Sequence, residues 1–264
     1  MLYPVFVSFA LFSSCKNQSQ TPSAGGLLPI EGGYNFREMG GIITKDGKQI
    51  KCGKLLRSDE LAHLTDADLQ YFSSFPLISI VDFRTEEEVA AAPDKRPVSL
   101  QNYYAYSINP GNIQSSTLES LGEITTEKVI LFMENMYISL ISDSIHIATY
   151  RQFFALLQDE SQLPLIFHCS AGKDRTGLAA AFFFSALGVD EETIMTNYIA
   201  SNKYLEGKYD KYIEKNVAIK PFFEVHPSYL KAAFKTIDEK YGSMEQFLVK
   251  ELKIDIDKMK KMYL

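Results

Sequence analysis

The sequence predicts an α/β fold in which a central sheet is flanked by helices, and three observations support this prediction. Residues 76–83 and 163–169 are short apolar runs with the composition of buried strands. Each run ends in polar residues and is followed by a helix signal. The chain has 264 residues, of which 46% are hydrophobic and 23% charged, so it can enclose a sizeable core. Disordered and fibrous classes are therefore excluded.

Each predicted strand is followed by its own helix signal. Thr85 precedes three glutamates, which is the pattern of a helix N-cap with an acidic first turn. Thr176 opens a second, strongly apolar helix that is closed by Gly188. Strands that alternate with helices in this way predict an α/β sheet.

Two longer segments predict further helices around the sheet. Residues 127–157 place aromatic and aliphatic side chains on one helical face and predict a helical insert. Residues 194–264 predict a helical C-terminal region that is broken near Pro221 and Pro227. A turn that contains Gly111, at residues 109–112, precedes the insert. We expect it to begin a mobile segment that covers the functional site.

The N-terminus predicts a lipoprotein signal peptide at residues 1–15. Its apolar part is too short to span a bilayer, and the small residues before Cys15 resemble a bacterial lipoprotein cleavage box. Residues 16–26 are small and polar, which predicts a flexible tether to a domain over residues 27–264. The protein is therefore expected to be exported to the periplasm or cell surface and to meet the membrane only through lipid on Cys15. The alternative is a hydrophobic terminus with an incidental cysteine.

Charge and cysteine content exclude further classes. The net charge of −6 argues against a general nucleic-acid binder or a protein that binds anionic membranes broadly. Three cysteines are too few for a disulfide scaffold. With Cys15 assigned to lipid, Cys52 and Cys169 remain, and two unrelated thiols are favoured over a bridge between them.

The chemistry lies in residues 168–177, His-Cys-Ser-Ala-Gly-Lys-Asp-Arg-Thr-Gly. Cys169 ends a predicted strand, Arg175 follows six residues later, and a helix begins directly afterwards. Backbone N–H groups and the positive end of the helix dipole can surround a phosphate, and the arginine fork can bind two of its oxygens. The same field stabilises a thiolate, which is the attacking form of cysteine. We expect the substrate phosphate to be bound by Ser170, Ala171, Gly172, Lys173, Asp174 and Arg175.

This segment resembles the phosphate-binding loop of cysteine-dependent tyrosine and dual-specificity phosphatases. Its Ala-Gly-Lys-Asp-Arg-Thr-Gly form is similar to the bacterial tyrosine/serine phosphatase family, some members of which also hydrolyse phosphoinositides. The resemblance extends over residues 27–264, and its further blocks lie at 34–41, 56–61, 81–85 and 198–205. Glu38 and Phe83 stand where the family usually has Asp and Leu, and residues 102–145 carry no family motif.

The resemblance implies hydrolysis of a phosphate monoester in two steps, with no cofactor and no metal. Cys169 attacks phosphorus and forms a phosphocysteine while an acid protonates the leaving oxygen, and water then hydrolyses this intermediate. Arg175 stabilises the equatorial oxygens. The four histidines lack the spacing of metal ligands, and His168 is expected to hold the loop through hydrogen bonds.

Two carboxylates compete for the role of the acid. The chain contains no Trp, so the Trp-Pro-Asp loop of many tyrosine phosphatases is absent. The resemblance favours Asp174, whereas Asp82 is expected to pair with Lys173 and to fix its position unless it is itself the acid. Thr176 either donates its hydroxyl to the sulfur of Cys169 or caps the following helix.

Three further arginines, Arg37, Arg57 and Arg84, either extend the anion site or form surface or structural ion pairs. The favoured substrate is protein phosphotyrosine, with phosphoserine, phosphothreonine or phosphoinositide as wider substrates, and no nucleic-acid partner is expected. A phosphatase of small polyanions such as inositol phosphates is an alternative, since Lys173 adds a second cation to the loop. A phosphate-binding module without turnover and a sulfur-transfer enzyme are the remaining alternatives.

Overall fold

The computed structural model describes residues 26–75, 77–111 and 124–264. The predicted signal peptide and all but the last residue of the predicted tether lie outside the described residues, and so does most of the segment that follows the turn at 109–112. Export and lipid attachment at Cys15 therefore stay predictions. Within the described ranges, no helix is both long enough and apolar enough to cross a bilayer.

In the described part of the chain, five short strands form one sheet: β1 (Arg37–Glu38), β2 (Leu55–Ser58), β3 (Ser79–Asp82), β4 (Asn102–Ala105) and β5 (Leu165–His168). Their order across the sheet is β1-β2-β5-β3-β4. β1 is antiparallel to β2, and the other three pairings are parallel. The two strands predicted from the sequence, β3 and β5, are neighbours near its centre, which confirms the predicted α/β class.

The parallel pairing brings several strand ends to one edge of the sheet. Ser58, Asp82 and His168 are the last residues of β2, β3 and β5, and they are aligned in register. Ligand sites of open α/β sheets form at the carboxyl ends of the strands. Cys169 follows β5 at this edge.

The helices around the sheet are α1 (Asp66–Ser74), α2 (Glu86–Ala91), α3 (Thr126–Ser142), α4 (Ser144–Leu157), α5 (Arg175–Leu187), α6 (Glu191–Tyr204), α7 (Asp210–Ile213), α8 (Lys220–Phe223), α9 (Pro227–Tyr241), α10 (Met244–Gln246) and α11 (Ile256–Tyr263). Short 3-10 turns lie at Glu160–Gln162 and Val217–Ile219, and a π-helix lies at Phe247–Glu251. The predicted helical insert and helical C-terminal region are therefore confirmed.

The helix ends next to the predicted strands follow capping chemistry. Thr85 caps α2, as the sequence pattern indicates, and it also forms a capping box with Glu88. Helix α5 begins at Arg175, so Thr176 lies inside its first turn, and the alternative that Thr176 caps the helix is wrong. Gly188 closes α5 with a φ of +82°, a conformation that costs glycine little.

The long helical segments are divided more finely than their periodicity predicts. The predicted helix over 127–157 is two helices, because Asp143 ends α3 and its carboxylate accepts the N–H of Ile145 to cap α4. Pro221 and Pro227 lie in the first turns of α8 and α9. Proline suits this position because the first turn does not need its missing N–H.

Alternation along the strands divides the core into two clusters on opposite faces of the sheet. Val81 and Phe167 pack against the larger helical layer, which includes α3 to α6. Ile80 and Ile166 face the smaller cluster that includes residues of α1. Arg57 is in register with Phe167, so its side chain lies on the face of the larger cluster.

Candidate active site

Cys169 lies between β5 and the loop that leads to α5. Its side chain is buried, with 2% of the residue exposed, and its thiol is free. The alternative of a bridge between Cys52 and Cys169 is therefore wrong. We call residues 169–175 the phosphate loop, because the arrangement of its backbone N–H and carbonyl groups suits a bound anion.

The backbone carbonyls of the phosphate loop are held from outside. The carbonyl of Gly172 accepts Nη2 of Arg57 at 2.5 Å and Nδ2 of Asn35 at 2.9 Å, and that of Ser170 accepts Nζ of Lys208 at 3.2 Å. The N–H groups of residues 170–174, by contrast, have no acceptor within the described residues. Unpaired N–H groups ahead of a helix form a site for an anion.

Gly172 makes the bend of the phosphate loop. Its φ is +63°, and a Cβ at this position would collide with the carbonyl of Ser58 at the end of β2. Glycine alone accommodates both the positive φ and this close backbone approach. The loop therefore packs directly on the edge of the sheet.

The guanidinium of Arg175 is held along one edge. Its Nη1 and Nη2 atoms each donate to a carboxylate oxygen of Glu88 at 2.7 Å. Nη1 also donates to the carbonyls of Phe83 and Ile108, at 3.2 and 3.1 Å. Nε has no acceptor within the described part of the chain, which leaves the Nε edge to bind a phosphate.

Glu88 connects α2 to the phosphate loop. Besides Arg175, its carboxylate accepts the hydroxyl of Ser170 at 2.5 Å and the N–H of Thr85 at 2.8 Å. Burial disfavours the carboxylate of Glu88, but Arg175 and Ser170 outweigh it and lower the pKa of Glu88 to about 2. Glu88 thus stays ionised at neutral pH and anchors the arginine. The sequence marks Glu88 only as an acidic residue in the first turn of a helix, so its link to Arg175 was not predicted.

Asp174 lies at the start of α5, and 19% of its side chain is exposed. Its Oδ1 accepts the hydroxyl of Tyr137 at 2.8 Å, and Nζ of Lys173 donates to both of its oxygens, at 2.9 and 2.8 Å. The hydroxyl of Tyr137 in turn accepts that of Tyr198 at 2.7 Å. Two helices, α3 and α6, therefore orient the carboxylate that the resemblance favours as the acid.

The side chain of Lys173 points inward. The residue is 2% exposed, and its Nζ binds Asp174 and the carbonyl of Glu224. The prediction that Lys173 pairs with Asp82 is wrong, because Asp82 is in register with His168 on the opposite face of the sheet. The ammonium of Lys173 is engaged by Asp174 and the carbonyl of Glu224, and its role as a second cation for the substrate stays a prediction.

Asp82 belongs to a buried cluster of charges behind the phosphate loop. Arg84 forms ion pairs with Asp82 and Asp94, each at 2.8 Å, and the hydroxyl of Tyr103 donates to Asp82 at 2.7 Å. Burial disfavours the carboxylate of Asp82, but His168 and Arg84 outweigh it and lower its pKa to about 2. A fully buried carboxylate with such a low pKa is unsuited to protonate a leaving group.

Asp82, Asp94 and His168 bring three potential metal-ligand atoms within 4.8 Å of one another. Arg84 already contacts both carboxylates and supplies their counter-charge. The cluster is therefore explained as an ion network that fixes β3 against β5. Of the two readings of Arg84, the structural ion pair is the one observed.

Three other predicted site residues support the loop or lie inside it. His168 is fully buried, and its Nδ1 lies 3.4 Å from the carbonyl oxygen of Cys169. Ala171 is 8% exposed, and its carbonyl accepts Asn35 at 3.3 Å. The buried hydroxyl of Thr176 has no hydrogen-bond partner among the described residues, so it does not donate to the sulfur of Cys169.

The rim of the phosphate loop contains a cation that the sequence analysis did not single out. Nζ of Lys208 lies 5.5 Å from the ring centre of Tyr34 and 5.6 Å from that of Tyr209. The same atom forms ion pairs with Asp59 and Glu60. The rim is thus aromatic, and its lysine is neutralised by two acids.

A buried cysteine is followed by N–H groups that lack acceptors among the described residues and by an anchored arginine at the start of the next helix. This arrangement is typical of a phosphate-binding site on an α/β fold. The sequence profile of the tyrosine phosphatase family matches residues 28–264. The chain belongs to this family, which confirms the resemblance and the prediction that the protein is a phosphatase.

Two relatives with similar sequences agree with this assignment. A protein of Cupriavidus necator named as a tyrosine-protein phosphatase is 30% identical over 241 residues, which cover 87% of this chain and 85% of the relative. The triple specificity protein phosphatase PtpB of Mycobacterium tuberculosis is 27% identical over 262 residues, which cover 83% of this chain and 91% of PtpB. Among solved structures, the Siw14 catalytic core matches with a TM-score of 0.34 and 11% identity, covering 74% of this chain and 96% of that one.

Proposed function

We propose that the protein hydrolyses phosphotyrosine in proteins, with Cys169 as the nucleophile and Arg175 as the phosphate clamp. The observation that carries the proposal is the phosphate loop, whose N–H groups lack acceptors within the described residues while its carbonyls are held from outside. The sulfur of Cys169 forms a bond to phosphorus as the bond to the tyrosine oxygen breaks. Water then attacks phosphorus and the S–P bond breaks, which releases phosphate.

Asp174 is the proposed acid of the first step and the base of the second. It is a loop residue with an exposed part, whereas Asp82 is 0% exposed and bound to Arg84. Oδ1 of Asp174 accepts both Tyr137 and Lys173, while Oδ2 accepts only Lys173 in the described part of the chain. Oδ2 is therefore the atom that gives its proton to the leaving oxygen and later takes one from water.

The charges around the loop favour a substrate with one phosphate and an aromatic ring. Lys173 is turned inward, and the ammonium of Lys208 is neutralised by Asp59 and Glu60. Neither lysine is left to bind a second phosphate, as an inositol polyphosphate would require. Tyr34 is 40% exposed at the rim and offers an aromatic surface.

A substrate screen tests this proposal. We expect kcat/KM for phosphotyrosine peptides to exceed that for inositol polyphosphates by about ten-fold or more, since Lys173 and Lys208 are both engaged by acidic partners and neither is left for a second phosphate. Phosphoserine and phosphothreonine peptides and phosphoinositide vesicles belong in the same screen, because PtpB is named for triple specificity. A preference for inositol polyphosphates would favour the small-polyanion alternative, and binding without turnover would favour a phosphate-binding module.

The role of Asp174 is tested with leaving groups of different acidity. We expect Asp174→Asn to reduce kcat/KM for a phosphotyrosine peptide by about 100-fold, and that for p-nitrophenyl phosphate by less than about ten-fold. The nitrophenolate ion departs without a proton, so it needs the acid less. The control is Asp257→Asn, at an exposed aspartate of α11, which is expected to leave both values unchanged. An equal loss on both substrates would remove Asp174 from the acid role.

A further inference from the structure

Arg37 and Arg57 are two fully buried guanidinium groups beneath the phosphate loop. They pair across β1 and β2, and both residues are 0% exposed. Arg37 donates to the carbonyl oxygen and to Oδ1 of Asn197, at 2.7 and 3.4 Å, and to the hydroxyl of Ser201 at 3.0 Å. Arg57 donates to Oδ1 of Asn197 at 3.2 Å and to the carbonyl of Gly172 at 2.5 Å. These partners, which are all that the described residues provide by hydrogen bonding, include no carboxylate.

Two buried guanidinium groups without a carboxylate partner do not stabilise the fold. A buried charge without a counter-charge destabilises the folded state, and a second like charge beside it adds to the destabilisation. Burial lowers the pKa of Arg57 to about 10, and burial together with the charge of Arg57 lowers that of Arg37 well below its usual range. The Nε atoms of both arginines also lack an acceptor within the described chain. A neutral pair would satisfy the same neighbours at lower cost.

The negative charge that would balance the two arginines lies across the loop from them, on the Cys169 thiolate and on an anion bound by the loop N–H groups. The carbonyl of Gly172 that Arg57 binds belongs to the same peptide group as the N–H of Lys173, one of the loop groups without an acceptor in the described chain. A cation on the carbonyl polarises that peptide and strengthens the N–H as a donor toward an anion. The charge of the Cys169 thiolate in turn favours the charged form of Arg57.

We propose that Arg57, with Arg37 behind it, is a positioning residue that stabilises the Cys169 thiolate and the bound phosphate from beneath the loop. The inference rests on the proposed role of Cys169 as nucleophile. It gives a function to two arginines that neither line the rim nor form ion pairs among the described residues. It also explains why the fold keeps two cations where neutral side chains would cost less.

Other charged and titratable groups lie in or around the phosphate loop and must stay unchanged in a test. The loop contributes Lys173, Asp174 and Arg175, and the packed elements contribute Glu88 of α2, Tyr150 of α4 and Tyr209 before α7. His168, with its partners Asp82 and Asp94, adjoins the cysteine from the other face of the sheet. Substitutions at Arg57 and Arg37 leave all of these in place.

The experiment measures alkylation of Cys169 by iodoacetamide between pH 4.5 and 8.5, read by mass spectrometry of the peptide that contains it. Arg57→Gln removes the charge and keeps a polar side chain, while Arg57→Lys keeps the charge. Arg37→Gln removes the second charge one strand further away. The matched control is Arg151→Gln, since Arg151 also donates to a backbone carbonyl, that of Glu251, at a site remote from the loop.

We expect Arg57→Gln to slow alkylation of Cys169 at pH 6 by about ten-fold and to move the rise of the rate by about one unit to higher pH. Arg37→Gln should act in the same direction more weakly, whereas Arg57→Lys and the control should follow the wild type within about three-fold. Affinity for inorganic phosphate should fall in parallel. Both neutral variants should melt at or above the wild-type temperature, because a buried charge has been removed.

Two results would overturn the inference. Wild-type alkylation in folded Arg57→Gln would mean that the charge does not act on the thiolate. Unfolding of the neutral variants would mean that the arginines are needed for the fold itself. Alkylation requires no substrate, so these outcomes are independent of whether the wild type turns over phosphotyrosine, which the substrate screen decides separately.

Discussion

Cys169→Ser is expected to abolish turnover of phosphotyrosine peptides while the protein stays folded and still binds them. A serine hydroxyl ionises far less than a thiol in the same field, so the attacking anion is lost. The oxygen is smaller than sulfur and fits the same position at the end of β5, where the side chain is 2% exposed. The loop N–H groups and Arg175 remain to bind the phosphate.

The measurements are kcat by phosphate release and peptide affinity by calorimetry, with melting temperature as the check on folding. We expect residual kcat below about one hundredth of the wild type, with an affinity changed by less than about ten-fold. Activity above that level in Cys169→Ser would remove Cys169 from the nucleophile role. Loss of peptide binding in a folded variant would instead place the phosphate outside the loop.

The parts of the site that could be predicted are those that lie together in the chain. Cys169 and Arg175 are separated by one loop between a predicted strand and a predicted helix, so residue type and spacing suffice to place them. Strands β3 and β5 could be predicted because each is a buried apolar run. The N-cap at Thr85 follows from local hydrogen bonding alone.

The remaining parts depend on contacts between distant segments. Glu88 meets Arg175 across 87 positions, and Arg57 meets Gly172 across 115, so no local pattern signals either contact. β1 has two residues, and β2 and β4 have four each, which is too short to establish a period. The face on which Asp82 lies depends on the register of β3, and a shift of one residue reverses that face.

The partner of Lys173 could not be predicted from the sequence either, although it is the next residue in the chain. Its nearest carboxylate is that of the next residue, Asp174, and the pair is completed by Tyr137 of α3 and the carbonyl of Glu224. The sequence analysis pairs Lys173 with Asp82, since charge alone does not distinguish Asp82 from Asp174. Only the packing of helices over the loop selects between them.

Arg175→Lys is expected to lower kcat/KM for phosphotyrosine peptides and for p-nitrophenyl phosphate alike, by about 1,000-fold. In the wild type, one edge of the guanidinium binds both oxygens of Glu88, and Nε is left for the phosphate. An ammonium is a single point of charge and cannot bind Glu88 and two phosphate oxygens in fixed directions. The loss should be equal for good and poor leaving groups, because the clamp contacts the phosphoryl oxygens and not the leaving oxygen.

Glu88→Gln tests the contribution of Glu88, which holds Arg175, separately from that of Arg175, which binds the phosphate. The amide keeps one acceptor for Arg175 but loses the charge and the second acceptor, so we expect a loss of about ten-fold, again equal on both substrates. The control is Glu87→Gln, an exposed position of the same helix that should leave kcat/KM unchanged. Near-normal kinetics in Arg175→Lys would mean that phosphate binds elsewhere. A loss in Glu88→Gln as deep as that in Arg175→Lys would mean that Glu88 takes part in the reaction and does not merely hold the arginine.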